Sequence, residues 1–266
     1  MKSLTPILFL FFIVPFFIGC DQIESNDFLQ GDGPIDIDTS TIVQKVLIED
    51  FTGYKCTNCP QASTELHTLE TLYEGKIIGI AVHAGFFASP GGTFTTDFRT
   101  DAGNELEAFF SPQSFPIGMV NRKGYPSNVL IEYTDWASIV TQTLNQDPSV
   151  GLKISEADGQ LTIQAKRIGT ITGNLKLVVC LTEDKIIDKQ IDGTNLIEDY
   201  EHNHVLRTNI NGTWGSDIVL TEEYTSFSYS YVLENNWIKS NCKIVAYIYN
   251  DSTKEILQAE ELHLSE

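Results

Sequence analysis

The sequence predicts an α/β domain over residues 43–147, followed by an all-β, antiparallel sandwich-like domain over 148–266. Three observations predict this. Two apolar runs of strand type, 43–50 and 76–83, flank a stretch carrying Leu66, Leu69, Leu72 and Tyr73 at helical spacing, which reads as strand–helix–strand with a right-handed parallel crossover. Beyond Pro148 the helical periodicity disappears, and short, partly alternating runs separated by turn residues take over. With 266 residues and 42% apolar side chains, the chain is long and apolar enough for two domains with cores of their own.

Residues 1–19 precede both domains and read as a targeting segment. Lys2 supplies a positive start, and 7–18 is an apolar run too short to span a bilayer comfortably. The segment ends Phe17-Ile18-Gly19-Cys20. This resembles the bacterial lipoprotein signal, whose cysteine is acylated and becomes the first residue of the mature protein. An ordinary signal peptide with Cys20 incidental is the alternative. Residues 20–42, rich in Asp, Gly, Ser, Gln and Pro, read as the acylated cysteine and a flexible tether. Attachment to the membrane is then through lipid on Cys20. The net charge of −19 argues against nucleic acid and against an anionic membrane surface as partners.

The chemistry concentrates at Cys56-Thr-Asn-Cys59-Pro60, directly after the first strand. The order strand, Cys-x-x-Cys, helix places the first thiol at a helix N-terminus, where the dipole and unpaired N–H groups favour a thiolate. The second thiol follows about one turn on, within reach to close a disulfide. Pro60 fits the first turn, where its missing N–H costs nothing. Half of a zinc site has the same spacing, and a purely structural disulfide is the other alternative. The second half of a zinc site would have to come from His202-Asn-His204, which reads as a polar loop far downstream. No metal or cofactor is expected.

The remaining elements follow in order. His83 ends the second strand and reads as a structural histidine. Residues 84–98, rich in Gly, Ser, Thr and Phe, read as an insertion able to cover the thiols. A helix over 99–110 carries Leu106, Phe109 and Phe110, a short strand starts at Pro116, another lies near 129–131, and a last helix spans 133–144. Strands are expected at 150–155, 161–167, 175–181, 227–233, 243–250 and 256–262. Asn211-Gly-Thr-Trp214-Gly reads as a turn with a packed indole. Cys180 and Cys242 lie in strand-like runs, either free and buried or bridged.

Residues 43–145 resemble a thioredoxin fold. Asp50 stands six positions before Cys56, where thioredoxins carry a buried acid beneath the second cysteine. Pro116 occupies the place of that family's cis-proline, which takes up substrate backbone. Thr57-Asn58 replaces the Gly-Pro of thioredoxin, and Tyr54-Lys55 stands where a Trp is usual. The whole chain resembles a group of Bacteroidetes outer-membrane lipoproteins, the 28-kDa outer-membrane protein family. Glu49-Asp-Phe-Thr-Gly53, His202-Asn-His-Val-Leu-Arg207, Asn211-Gly-Thr-Trp-Gly215 and Leu257-Gln-Ala-Glu260 carry that likeness. The resemblance implies a lipid-anchored outer-membrane protein facing the periplasm or the cell surface. It also implies a thioredoxin-like domain joined to a β-domain. The expected function is thiol–disulfide exchange with protein or peptide thiols and disulfides, with Cys56, Cys59, Asp50 and Pro116 as site residues. The alternative is a surface-binding or adhesion lipoprotein in which Cys56–Cys59 is a structural bond.

Overall fold

The computed structural model describes residues 42–265, so the targeting segment, Cys20 and nearly all of the tether lie outside the described residues. The chain begins β1 (Val46–Thr52), α1 (Cys59–Leu72), β2 (Ile77–His83), α2 (Gly85–Ala88), α3 (Asp101–Phe110) and β3 (Ile117–Val120). A 3₁₀ turn at Tyr133–Asp135 runs into α4 (Trp136–Leu144). Then come β4 (Val150–Ala157), β5 (Gln160–Arg167), β6 (Leu175–Glu183), β7 (Ile186–Asp192), β8 (Asn195–His202), β9 (Val205–Asn209), β10 (Ser216–Ile218), β11 (Thr225–Ser230), β12 (Cys242–Asn250) and β13 (Ile256–His263). No helix among the described residues is long and apolar enough to cross a membrane.

The fold is mixed α/β and rich in strands. β1 and β2 pair in parallel, as a strand–helix–strand crossover requires, and β3 adds antiparallel to β1. This group continues into one eight-stranded sheet in the order β13-β12-β6-β9-β2-β1-β3, with β10 beside β6. The change of composition at Pro148 therefore does not coincide with a break in the sheet. β9 lies parallel to β2 at Ala81 and Val205 and antiparallel to β6, so the β2 edge is covered by strands from the second half of the chain. β11, β5 and β4 form a separate three-stranded sheet, and β7 and β8 form a two-stranded hairpin.

Every residue of β1 and β2 is buried, which is why both segments are mostly apolar without a regular alternation. On one face, Val46, Ile48 and Ile77 pack with Ala62, Leu66 and Leu69 of α1 and with Trp136 and Val140 of α4. On the opposite face, Leu47, Phe51, Ile78 and Ile80 meet Ala102, Leu106 and Phe110 of α3 and Val178 and Tyr247 of β6 and β12. The three-stranded sheet buries Leu152, Ile154, Leu161 and Ile163 against Leu177, Val179, Ile244 and Ile248. α3 starts where Thr100 caps it, its hydroxyl accepting from the Gly103 N–H at 2.9 Å, with Asp101 in the first turn. It ends where Ser111 turns left-handed, at φ 53°. The strand expected near 129–131 is reduced to a bridge between Ile131 and Gly118.

β1 also buries two carboxylates, Glu49 and Asp50, which as neighbours in a strand point to opposite faces. Glu49 is paired. Arg122 donates from Nε and Nη2 to its two oxygens, each at 2.6 Å, and from Nη2 to the Tyr247 hydroxyl at 3.0 Å. The guanidinium lies 5.3 Å from the ring centres of Phe110 and Tyr247 and 5.4 Å from that of Tyr249. Burial alone would lower the Arg122 pKa, but the Glu49 carboxylate outweighs it and the net direction is upward. Asp50 has no such partner, and its environment defines the site.

Candidate functional site

The loop after β1 is drawn tight by backbone contacts. Cys56 N–H donates to Gly53 O at 2.9 Å, and Lys55 N–H donates to Phe87 O at 3.0 Å. A Cβ at Gly53 would lie 2.5 Å from the Phe87 carbonyl carbon, so only glycine lets segment 84–98 approach this closely. That segment packs on the loop, with Phe94 stacked on Tyr54 at 4.8 Å between ring centres. Cys56 and Cys59 are joined in a disulfide with their Cα atoms 5.4 Å apart. The helix begins at Cys59, with Asn58 as its N-cap, so Cys56 stands in the turn before α1 and Cys59 is its first residue. The sequence placed both thiols further along the helix. The bridge closes the turn ahead of the cap, and Pro60 sits at the helix start.

Only 2% of each cysteine is exposed, and the reason lies far along the chain. The β7–β8 hairpin lies on the Cys-x-x-Cys loop and bonds to three successive parts of it. Ile191 N–H donates to Tyr54 O at 2.8 Å, Gly193 N–H to Thr57 O at 2.8 Å, and Gln190 Nε2 to Cys56 O at 3.0 Å. The hairpin is a feature the sequence reading missed, along with β9 and β10. Its strands are broken by Asp188, Lys189, Glu198 and Asp199, which hide the alternation. The signal that would have found it is Asp192-Gly193, a hairpin dipeptide between the apolar residues Ile191 and Leu196.

Beneath the disulfide, Asp50 and Cys59 open on one small cavity of about 20 Å³, with Thr52, Ser63, His83, Gln190, Tyr200 and His202 among its walls. The sheet register explains the grouping. Asp50 lies opposite Ala81 and Thr52 opposite His83, so alternate residues of two parallel strands face the same side. Complete burial pushes the Asp50 carboxyl up to about 8, and its Oδ1 has no hydrogen-bond partner among the described residues. Burial lowers His83 to about 3, with neighbouring His202 adding to the effect, and lowers His202 to about 4. Both rings are therefore neutral near pH 7. Their centres are 5.7 Å apart, and the His202 ring lies 4.8 Å from Tyr200. Burial raises the Tyr200 hydroxyl, the nearby Ser63 of α1 opposes the rise, and Asp50 adds to it.

The predicted site residues thus fall into two groups. Asp50 and Cys59 line one cavity, and Cys56 is bonded to Cys59. Pro116 is not among the cavity walls. Its peptide bond with Phe115 is cis, and the Phe115 ring packs 5.5 Å from Phe87 and 6.3 Å from Phe51. The expectation of a polar loop at 201–204 is corrected. His202 ends β8 in the cavity wall, and His204 is buried with φ 58°, its ring 3.3 Å from Glu70 and 3.6 Å from Asp184. Asn203 and His204 do form the turn between β8 and β9, but it is pressed against β2, where Ala81 N–H donates to His204 O at 2.8 Å. No group of three or more His, Cys, Asp or Glu among the described residues is placed to hold a metal. Cys180 and Cys242 are free and buried on neighbouring strands, and burial raises both thiols, Cys242 to about 12, so neither is a nucleophile at neutral pH. Trp214 packs against Phe109 at 4.7 Å.

A strand-rich α/β protein with a buried disulfide at the head of its first helix is the class these features define. The chain belongs to the Outer membrane protein Omp28 family, whose model matches residues 103–266. It is therefore an outer-membrane protein. The matched span begins after Cys59, so the disulfide loop lies ahead of it. Among solved structures, HBP35 of Porphyromonas gingivalis is similar at 14% identity with a TM-score of 0.63, covering 84% of this chain and 76% of that one. A protein of Agrobacterium tumefaciens is similar at 15% identity with a TM-score of 0.55, covering 85% of this chain and 96% of that one. At these identities the likeness concerns the fold alone. A domain of the outer membrane lipoprotein Omp28 from Porphyromonas gingivalis aligns at 22% identity over 45% of this chain and 91% of its own, with a TM-score of 0.34 that bears on nothing further. No curated protein sequence matches the chain.

Proposed function

We propose that this protein is a lipid-anchored thiol–disulfide exchange protein with a thioredoxin-like domain, tethered through Cys20 and acting on exported protein or peptide thiols and disulfides. One observation carries the reading: Asp50, buried with its Oδ1 unpartnered, and Cys59 line the same cavity. An unpartnered buried acid costs several kcal/mol in stability, and such an arrangement is retained where a proton must move. The parallel β1–α1–β2 unit, β3 antiparallel to β1 and the cis Phe115–Pro116 bond support the thioredoxin-like part.

In the reducing half-reaction a substrate thiolate attacks Cys56 Sγ. A mixed disulfide forms as the Cys56–Cys59 bond breaks, and the electron pair leaves on Cys59 Sγ. Asp50, neutral near pH 7, delivers its proton to that sulfur. A second substrate thiolate then releases Cys56, so two electrons and one substrate disulfide balance the two protein thiols. In the other direction Cys59 attacks the mixed disulfide while Asp50 accepts its proton. Pro116 would present its backbone to the substrate chain.

Insulin reduction by the wild type and by Cys56→Ser tests this. Turnover by the wild type alone is expected, and equal rates would remove the idea. A second reading, a surface-binding lipoprotein with a structural bond, is favoured by the burial of both sulfurs under the hairpin. A reduction potential below about −300 mV would select it.

A further inference from the structure

The cavity beneath the disulfide contains a second buried polar atom without a partner. Among the described residues, His83 Nδ1 and Asp50 Oδ1 are both enclosed and unbonded, and both residues line the same space. Each residue is 3% exposed. A buried polar atom left unpaired costs about 1–3 kcal/mol. His204 Nδ1, a third unbonded atom on a cavity residue, has the Asp184 carboxylate 3.6 Å away, so His83 and Asp50 are the two that call for a common explanation. The volume of about 20 Å³ suits one water, which needs roughly 10–15 Å³ and two to four polar neighbours.

We propose that His83 is a positioning residue for the proton transfer between Asp50 and Cys59, acting through one water held between His83 Nδ1 and Asp50 Oδ1. The neutral imidazole donates from Nδ1–H to the water, and the water donates to Oδ1. The bond gains strength when Asp50 has given its proton to Cys59 Sγ and carries the negative charge, so the ring stabilises the carboxylate at the moment it exists. No proton leaves His83, and the balance stays with Asp50 and Cys59. The other titratable groups facing Asp50 leave this role open to His83. Tyr200 and His202 face it from β8 and His204 from the following turn, whereas β3 offers none. Both ring nitrogens of His204 face carboxylates, Nε2 at 3.3 Å from Glu70 and the unbonded Nδ1 at 3.6 Å from Asp184, and His202 Nε2 lies 3.3 Å from Lys189 O.

The chemical consequence rests on the exchange reading, but the coupling is measured without it. The carboxyl stretch of Asp50 is followed across pH by infrared difference between the oxidised wild type and Asp50→Asn. Replacing His83 by Phe is expected to move the Asp50 midpoint upward by about one pH unit, whereas His83→Gln, which keeps a donor, holds it near the wild-type value. An unchanged midpoint in a folded His83→Phe protein overturns the proposal. If that variant does not fold, nitrogen NMR of His83 in the wild type decides. A ring shift that follows the Asp50 midpoint supports the coupling, and a flat response overturns it. Absence of insulin reduction by the wild type would remove the exchange reading and leave the infrared result to judge His83.

Discussion

Replacing Asp50 by Asn should stabilise this protein at neutral pH, by an amount that follows from the burial of one carboxyl. In the unfolded chain an aspartate titrates near 3.9, and in the fold burial raises Asp50 to about 8. A raised folded pKa contributes stability that is fully present below the unfolded value and is lost as pH rises through the folded one. Between pH 4 and pH 8 the loss amounts to about 1.4 kcal/mol per pH unit, or about 4 kcal/mol by pH 7. The substituted side chain never ionises, and an amide in the same cavity carries a desolvation cost that does not change with pH. The assay is urea unfolding at intervals from pH 4 to pH 9 for both proteins. The difference between the two curves isolates Asp50, because the low-pH contributions of neutral His83 and His202 are common to both. The difference should widen in favour of Asp50→Asn from pH 4 to pH 8 and then level off. Parallel curves would refute the reasoning, since they would mean that Asp50 is ionised in the fold as it is outside it.

Three further outcomes are expected. Arg122→Met leaves Glu49 buried without its cation and should cost about 3–5 kcal/mol in thermal or urea melts, whereas adding Glu49→Gln should restore part of that. An equal loss in the single and double variants would deny the pairing. Gln190→Ala removes one of the three bonds by which the hairpin grips the disulfide loop, worth about 1 kcal/mol, so reduction by a small dithiol should quicken about fivefold if opening controls access. An unchanged rate would mean that the sulfurs are reached with the hairpin in place. Alkylation of native protein at pH 7 should spare Cys180 and Cys242, and mass spectrometry showing rapid labelling of either would contradict their burial.

The first half of the fold was legible because its signals are local. β1 and β2 each carry a compact apolar run, and Leu66 and Leu69 fall where a helix buries them. The six strands expected after Pro148 are present at β4, β5, β6, β11, β12 and β13, because they alternate or are buried throughout. β7 and β8 escaped because their side chains are mostly polar, and β9 because it is short and its partners β2 and β6 are distant in sequence. The site divides along the same line. Cys56, Cys59 and Asp50 could be named from spacing, whereas Gln190, Tyr200 and the neighbouring imidazoles enter through a hairpin whose docking no local pattern announces. Arg122, in the turn after β3, is wholly enclosed, because Glu49 of β1 and Tyr247 of β12 both bond to it there.

The hairpin has a practical consequence for anyone dissecting this molecule. A fragment stopped near residue 147 would keep both sulfurs and the acid beneath them, yet lose the roof above them and the strand that seals β2. Its thiols would meet solvent directly, its carboxyl would regain water, and its bare strand edge would seek other copies of itself. Whatever such a fragment did in a test tube, brisk chemistry or precipitation, would describe the excised piece and not the chain from which it was cut.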